Sequence, residues 1–211
     1  AYKAYFKKIL QYQRKYGRGS VAKGDYGASF LHGLAYAGLV DFGGNVRHLV
    51  LSYYDPSKES GYSLGGMPEC YPVEVWAYRD GKLKRVYSGS AQEEGQNTYC
   101  TALWFTNVSG KSFIATHTGL YYPNNIGHEH FYGIKANGKF GKVMKLSVRN
   151  RYDGEGSYRY WYYRNGKSIS KGKYDALVEK WSKGRTSRYL NTLESSGRDI
   201  MGTLAVTKKT V

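Results

Sequence analysis

The residues best suited to chemistry form a short aromatic and basic run, YRYWYYR at positions 158–164. In a strand, alternate side chains share a face. One face would then hold Tyr158, Tyr160 and Tyr162, and the other would hold Arg159, Trp161 and Tyr163. Exposed aromatic rings stack on sugars or bases, and neighbouring cations hold acidic groups. The alternative is that one face is core and the other a half-buried, tyrosine-rich surface.

Candidate ligand-binding residues lie in this run and around it. The residues expected to contact a ligand are Arg159, Trp161, Arg164 and Lys167. The surrounding positive potential is expected to come from Lys139, Lys142 and Lys145. The chain has a net charge of +16, and residues 134–188 hold 15 Lys and Arg against 4 Asp and Glu. Such a field attracts polyanions, so an anionic cell-wall polymer or an acidic glycan is the expected partner. A surface that only keeps the protein soluble is the alternative. Nucleic acid is not an expected partner, because the sequence has no recognisable nucleic-acid-binding motif.

Three histidines are the candidates for a metal site. His128 and His130 would share one strand face, and with His117 from a neighbouring strand they could hold zinc or copper. Their spacing matches no zinc signature, and the alternative is a polar loop with solvated or hydrogen-bonded imidazoles. No metal and no cofactor is therefore predicted.

Catalytic signatures are weak, so no catalytic residue is assigned. The sequence has no GxSxG motif, and its paired glycines are too isolated to form phosphate loops. Acidic residues could include a glycosidase-type pair, which keeps a cell-wall or glycan hydrolase as the second hypothesis. These acids are Asp41, Asp55, Glu69, Glu74 and Glu129.

The elements that must position these residues are two helices and a series of hairpins. Apolar residues at three- and four-residue intervals predict an amphipathic helix over 2–16, and Ser170 is the expected N-cap of a second helix. Between them, alternating runs separated by turn dipeptides predict successive hairpins, with residues 28–34 ambiguous and a helical turn as one interpretation. The predicted class is α+β, a mainly antiparallel sheet with both helices packed on it, in a single domain over 1–211 with a weakly ordered tail over 185–211.

The two cysteines and the apolar pattern bear on the compartment. Cys70 and Cys100 could form one disulfide or remain two buried thiols, since spacing does not fix the distance between them. No apolar run approaches the ~20 residues of a membrane-spanning helix. The start at Ala1, directly in a helical pattern, fits a chain from which a signal peptide has been removed.

Three segments resemble a family of secreted proteins and lipoproteins from gut Gram-positive anaerobes. They are the strand ending at 39–41 with its Gly-Asn turn, the hairpin sequence VEVWAYRDGKL at 73–83, and NGKSIS at 165–170 with Tyr174 following. Family members have a segment like ALIDINGDGIPELLI, a hairpin like IYTYKDGKV, and a helix that opens with ISEEEY. The resemblance implies an extracellular or cell-surface-anchored location more firmly than any chemistry.

The family's Asp-Gly-Asp segment is similar to calcium-binding loops, which supply six to eight oxygen ligands. This sequence matches it at Asp41, Gly44 and Asn45, but Gly43 and His48 replace the expected acidic residues. We therefore interpret the segment as a hairpin turn that has lost the metal site. Together these features predict a non-catalytic, surface-associated binding domain, with a purely structural part of a surface assembly as a third hypothesis.

Overall fold

The computed structural model describes residues 1–23, 29–44, 46–58, 71–89, 98–120, 126–154 and 157–184. These residues form mainly antiparallel sheets with one helix near each end, which confirms the α+β class. Backbone contacts divide the chain into two compact units: the described residues of unit 1 lie within 1–89, and those of unit 2 lie within 98–184. The single-domain organisation stays a prediction, and the tail predicted over 185–211 lies outside the described residues.

Unit 1 is a four-stranded antiparallel sheet with a helix on one face. Its elements in chain order are α1 (Tyr2–Tyr16), β1 (Ser20–Lys23), β2 (Ser29–His32), β3 (Leu34–Asp41), β4 (Arg47–Tyr53), a 3₁₀ turn (Pro56–Lys58), β5 (Val73–Arg79) and β6 (Lys82–Gly89). The strand order is β3-β4-β5-β6, and β1 pairs with β2 in a separate hairpin. The helical turn considered for 28–34 is wrong, because the residues from Ser29 onward pair as strands.

The helix α1 packs on the sheet through the apolar stripe predicted from the sequence. Tyr5 and Ile9, four residues apart, are buried against Leu49 and Leu51 of β4. The Tyr5 hydroxyl donates to the Arg47 carbonyl at 2.7 Å and accepts from the backbone N–H of Tyr78 at 3.0 Å. Both contacts tie the start of the helix to two adjacent strands, so α1 has one fixed position on this sheet.

Unit 2 is a six-stranded antiparallel sheet in the order β12-β11-β10-β9-β8-β7. Its elements in chain order are β7 (Thr98–Val108), β8 (Lys111–Leu120), β9 (Ile126–Ile134), β10 (Phe140–Tyr152), β11 (Tyr158–Arg164), β12 (Lys167–Ile169) and α2 (Lys171–Ser182). Every strand is adjacent to its neighbour in sequence, as successive hairpins require.

The helix α2 begins at the predicted cap and packs on one face of this sheet. The Ser170 hydroxyl accepts from the Lys173 N–H, which satisfies one of the open donors of the first turn. The centre of the Trp181 ring lies 4.9 Å from the centre of the Phe113 ring and 4.6 Å from the centre of the Phe131 ring. The Thr106 hydroxyl also donates to the Trp181 carbonyl at 2.5 Å.

None of the helices in the described ranges is long and apolar enough to span a bilayer.

Three two-residue turns set the strand register. Both central residues have positive φ in the turns Asp80-Gly81, Ser109-Gly110 and Asn165-Gly166. This is the geometry of a type I′ turn, whose twist matches that of the flanking strands. The predicted hairpins around these dipeptides are confirmed, and their registers decide which side chains share a face.

Candidate functional site

Two opposed strands gather arginines on one side of the unit 2 sheet. The register of β10 and β11 places Arg149 opposite Trp161 and Arg151 opposite Arg159. Directly opposed residues point to the same side of a sheet, and Tyr163 shares that side by alternation along β11. We call this set the arginine face, defined as Arg149, Arg151, Arg159, Trp161 and Tyr163.

The arginine face is accessible, and no carboxylate of the described residues forms an ion pair with its arginines. All three arginines are exposed, and Trp161 keeps 41% of its surface accessible. The guanidinium carbon of Arg149 lies 5.3 Å from the centre of the half-buried Tyr163 ring. Over the described part of the chain, the ion pairs join other residues and none involves these arginines. The face therefore presents three cations and one exposed indole to solvent.

Two of the three lysines predicted to surround the site lie on the side of the arginine face. The Lys142 ammonium lies 5.7 Å from the centre of the Tyr132 ring, and Lys145 pairs with His130, so both lysines share the side of the arginine face. Two backbone contacts at 2.8 Å join Lys145 to Asn165: its N–H donates to the side-chain oxygen, and its carbonyl accepts from the Asn165 N–H. Lys139 lies in the exposed turn between β9 and β10.

Arg164 and Lys167 are not brought together with Arg159 and Trp161. They oppose each other across β11 and β12, and alternation places Arg164 on the other side of β11 from Arg159. That other side also has the tyrosines, as the alternation of the run predicted. Tyr152, Tyr158 and Tyr160 are exposed there, with neighbouring ring centres 5.3 and 6.5 Å apart.

Arg149 and Arg151 were not among the residues predicted from the sequence. Both lie at alternate positions of the segment VRNRY, immediately before the turn that leads to the aromatic run. Counting back across that turn from Arg159 would have indicated them, because hairpin partners are symmetric about the turn.

The three candidate metal-ligating histidines lie on two sides of the sheet. His117 opposes Glu129, with 3.7 Å between Nδ1 and Oε1. His128 and His130 alternate with Glu129 and point to the other side. Their rings are nearly parallel, with centres 6.1 Å apart. The three imidazoles therefore cannot converge on one ion. Among the described residues, no three His, Cys, Asp or Glu side chains form a metal-binding group.

The calcium-like segment forms a turn in the structure. One carboxylate oxygen of Asp41 accepts from the Gly43 N–H at 2.7 Å. Gly43 and Gly44 both have positive φ, which suits glycine. Asn45 and Cys70 lie outside the described residues, as does the side chain of Cys100. The disulfide therefore stays a prediction.

Glu74 is the one deeply buried carboxylate of the described chain, with 2% of its surface exposed. One oxygen accepts from the Tyr12 hydroxyl at 2.6 Å and the Trp76 indole at 2.8 Å. The other accepts from the Tyr53 hydroxyl at 3.2 Å and the Arg85 guanidinium at 3.0 Å. All its acceptor positions are thus filled by the protein, so Glu74 joins α1 to the sheet and has no free position for a substrate proton.

The surroundings of Glu74 perturb two neighbouring groups. Burial, and then the hydrogen bond to Glu74, raises the pKa of Tyr12 well above its usual value. Burial lowers the pKa of Lys8, whose ammonium lies 3.9 Å from the centre of the Trp76 ring. Both effects have burial as their largest cause, because burial disfavours the charged form of each group.

The other two described candidate acids of unit 1, Asp41 and Asp55, each close a turn. Asp55 accepts from the N–H and the hydroxyl of Ser57 at 3.1 and 2.7 Å, which closes the 3₁₀ turn. Glu129 lies in unit 2 beside His117, and Glu69 lies outside the described residues. Comparison of the chain with protein-family models, curated proteins and solved structures gave no match.

Proposed function

We propose that the protein is a non-catalytic, extracellular, surface-associated domain that binds an anionic polymer, a cell-wall polymer or an acidic glycan. The supporting observation is that Arg151 lies directly opposite Arg159 with no carboxylate neutralising either one among the described residues. Like charges directly opposed on a sheet destabilise it. A polyanion laid on the arginine face would remove that repulsion and gain charge-assisted hydrogen bonds.

The geometry around the polymer follows from the shape of the hairpin. The arginine face is exposed at the hairpin end, while Ser147, His130 and Tyr132 farther along the same side are buried. A polymer would therefore lie on the hairpin end and continue beyond it. The exposed Trp161 indole provides a flat apolar surface beside the cations, on which the apolar side of a sugar or polyol can rest. Lys142 and Lys145 extend the positive potential along β10 on the same side.

The hydrolase hypothesis is less favoured by the described residues. A glycosidase needs one carboxylic acid and one carboxylate facing a shared cleft. Glu74 is enclosed by its four donors, and Asp41 and Asp55 each close a turn. The hypothesis of a purely structural part has no observation of its own in its favour.

Binding to polymers at different salt concentrations tests the proposal. The full chain is mixed with bacterial cell wall, with a soluble acidic glycan and with a neutral glycan, from about 50 to 500 mM salt. We expect binding to the two anionic materials that persists near physiological salt and falls steeply above it. No binding to either material at the lowest salt, or equal binding to the neutral glycan, would refute the proposal.

A further inference from the structure

The arginine face has a repeat that a particular class of polyanion matches. Arg149 and Arg151 are two residues apart on the same side of β10, which places their Cα atoms about 7 Å apart along the strand. Arg159 lies beside Arg151, with Cβ atoms about 5 Å apart. The face therefore offers two adjacent anion positions, one between Arg151 and Arg159 and the next at Arg149.

A linear phosphodiester polymer has the matching repeat. One three-carbon polyol phosphate unit contains as many backbone bonds as two residues of an extended polypeptide. Its charges in an extended chain therefore recur at about the same distance as alternate side chains of a strand. In a uronic acid polymer each sugar ring carries one charge. The spacing between charges is therefore set by the length of the ring, and it differs from that repeat.

The cations at these positions also favour phosphate. All three are arginines, while the lysines on the same side, Lys142 and Lys145, lie farther along β10. The guanidinium group presents a planar fork of N–H donors that binds phosphate oxygens in pairs and is weakly hydrated. Arg149 is held over the Tyr163 ring, so part of its side-chain freedom is already lost before a ligand arrives.

A nucleic acid strand has the same backbone repeat but needs a ring for each successive base. On the arginine face, Trp161 is the only strongly exposed ring among the described residues, and Arg149 already covers Tyr163. A surface with one stacking position and several cations suits a phosphate backbone without bases better than it suits a nucleic acid strand.

We infer that the arginine face selects a linear phosphodiester polymer with a short polyol repeat, of the poly(glycerol phosphate) type. Arg151 and Arg159 bind one phosphate, Arg149 binds the next, and Trp161, directly opposite Arg149, packs against the carbon chain beside that second phosphate. This inference depends on the proposed binding of anionic polymers, and it specifies which anion and which spacing are bound.

The test compares four defined probes at one salt concentration with the full chain. They are a glycerol phosphate oligomer, an abasic deoxyribose phosphate oligomer, an oligothymidylate and an oligogalacturonate, all with the same number of charges. We expect the first two to bind at least tenfold more tightly than the oligogalacturonate, on the scale of one or two charge-assisted hydrogen bonds. We also expect thymine bases to add no more than about threefold, which is less than the gain from stacking even one base.

The variant Arg151→Lys keeps the charge and removes the fork. We expect it to lose most of the preference for phosphodiester over carboxylate, while Lys173→Arg, at an exposed position of α2, leaves that preference unchanged.

Three other outcomes would each refute the phosphodiester inference, and the last of them would also refute the proposed function. Equal or tighter binding of the oligogalacturonate refutes the phosphodiester inference and leaves the proposed function standing. Binding of oligothymidylate far tighter than that of the abasic oligomer refutes it in favour of single-stranded nucleic acid. Binding of none of the four probes refutes both the inference and the proposed function.

Discussion

Removing the buried carboxylate of Glu74 tests how unit 1 is held together. In Glu74→Ala the hydroxyls of Tyr12 and Tyr53 and the indole of Trp76 lose their acceptor. The Arg85 side chain, 52% exposed, can turn to water. A buried donor left without a partner costs about 1–3 kcal/mol. Because the hydroxyls can partly readjust, we expect a total loss of about 3–5 kcal/mol, the range for breaking a buried ion pair from one side.

The conservative variant Glu74→Gln separates hydrogen bonding from packing. Its amide oxygen can stay between Tyr12 and Trp76, because the indole can only donate. Its amide nitrogen then faces Tyr53, whose hydroxyl can accept, and Arg85, which must turn away. We therefore expect Glu74→Gln to cost only about 1.5–3 kcal/mol, the equivalent of one lost charged hydrogen bond.

The assay is urea denaturation combined with amide hydrogen exchange in β4 and β5, since exchange reports the opening of unit 1 by itself. Asp175→Ala is the control, because it removes a carboxylate from an exposed ion pair with Lys171, and we expect no measurable change from it. A loss below about 1 kcal/mol for Glu74→Ala, or a Gln variant as unstable as the Ala variant, would refute this account of the Glu74 cluster.

Three further predictions concern unit 2 and the turn at Asp41. Burial, with Glu129 contributing, raises the pKa of Tyr174 to about 12, against about 10 in an unfolded chain. The folded state thus holds the phenol proton more tightly, so this contribution to stability is complete below about pH 10 and is lost towards pH 12. The alkaline decline in Tm should be shallower in Tyr174→Phe than in the exposed control Tyr160→Phe, and equal declines would contradict the assignment. Trp181→Ala removes the ring that packs on Phe113 and Phe131, so it should cost about 3 kcal/mol and speed hydrogen exchange throughout α2; unchanged protection of α2 would contradict its docking through this ring. Asp41→Ala should cost about 1 kcal/mol through the lost turn hydrogen bond, and millimolar calcium should leave the Tm of both forms unchanged; a saturable rise with calcium in the wild type alone would contradict the turn interpretation.

Local sequence signals were sufficient for most of the described secondary structure. The stripe of Tyr5 and Ile9 predicted α1, Ser170 predicted the start of α2, and dipeptides such as Asp80-Gly81 predicted the hairpins. Each of these signals acts within a few residues, where backbone geometry and side-chain capping decide the conformation. The alternation along β11 was also local, and it already implied that Arg159 and Arg164 point to opposite sides.

Contacts between distant residues could not be predicted in this way. Glu74 lies 62 positions from Tyr12, and nothing in the alternating segment VEVWAY shows that donors from a helix will enclose its carboxylate. The separation of His117 from His130 depends on the register between β8 and β9, which the intervening loop sequence does not reveal. The sequence therefore indicated which residue types were present but not which of them meet.

Two charge-removing variants of the same strand distinguish binding through the arginine face from long-range attraction by the net charge. Arg159 and Arg164 are both exposed on β11, and they differ in the side of the sheet to which they point. Each is changed to Gln, and the affinity for one soluble anionic polymer is measured at near-physiological salt. We expect Arg159→Gln to raise Kd roughly tenfold, as the loss of a charged hydrogen bond requires. Arg164→Gln should raise it less than about twofold, through the screened long-range field. Equal effects of the two variants, or a larger effect of Arg164→Gln, would contradict binding through the arginine face.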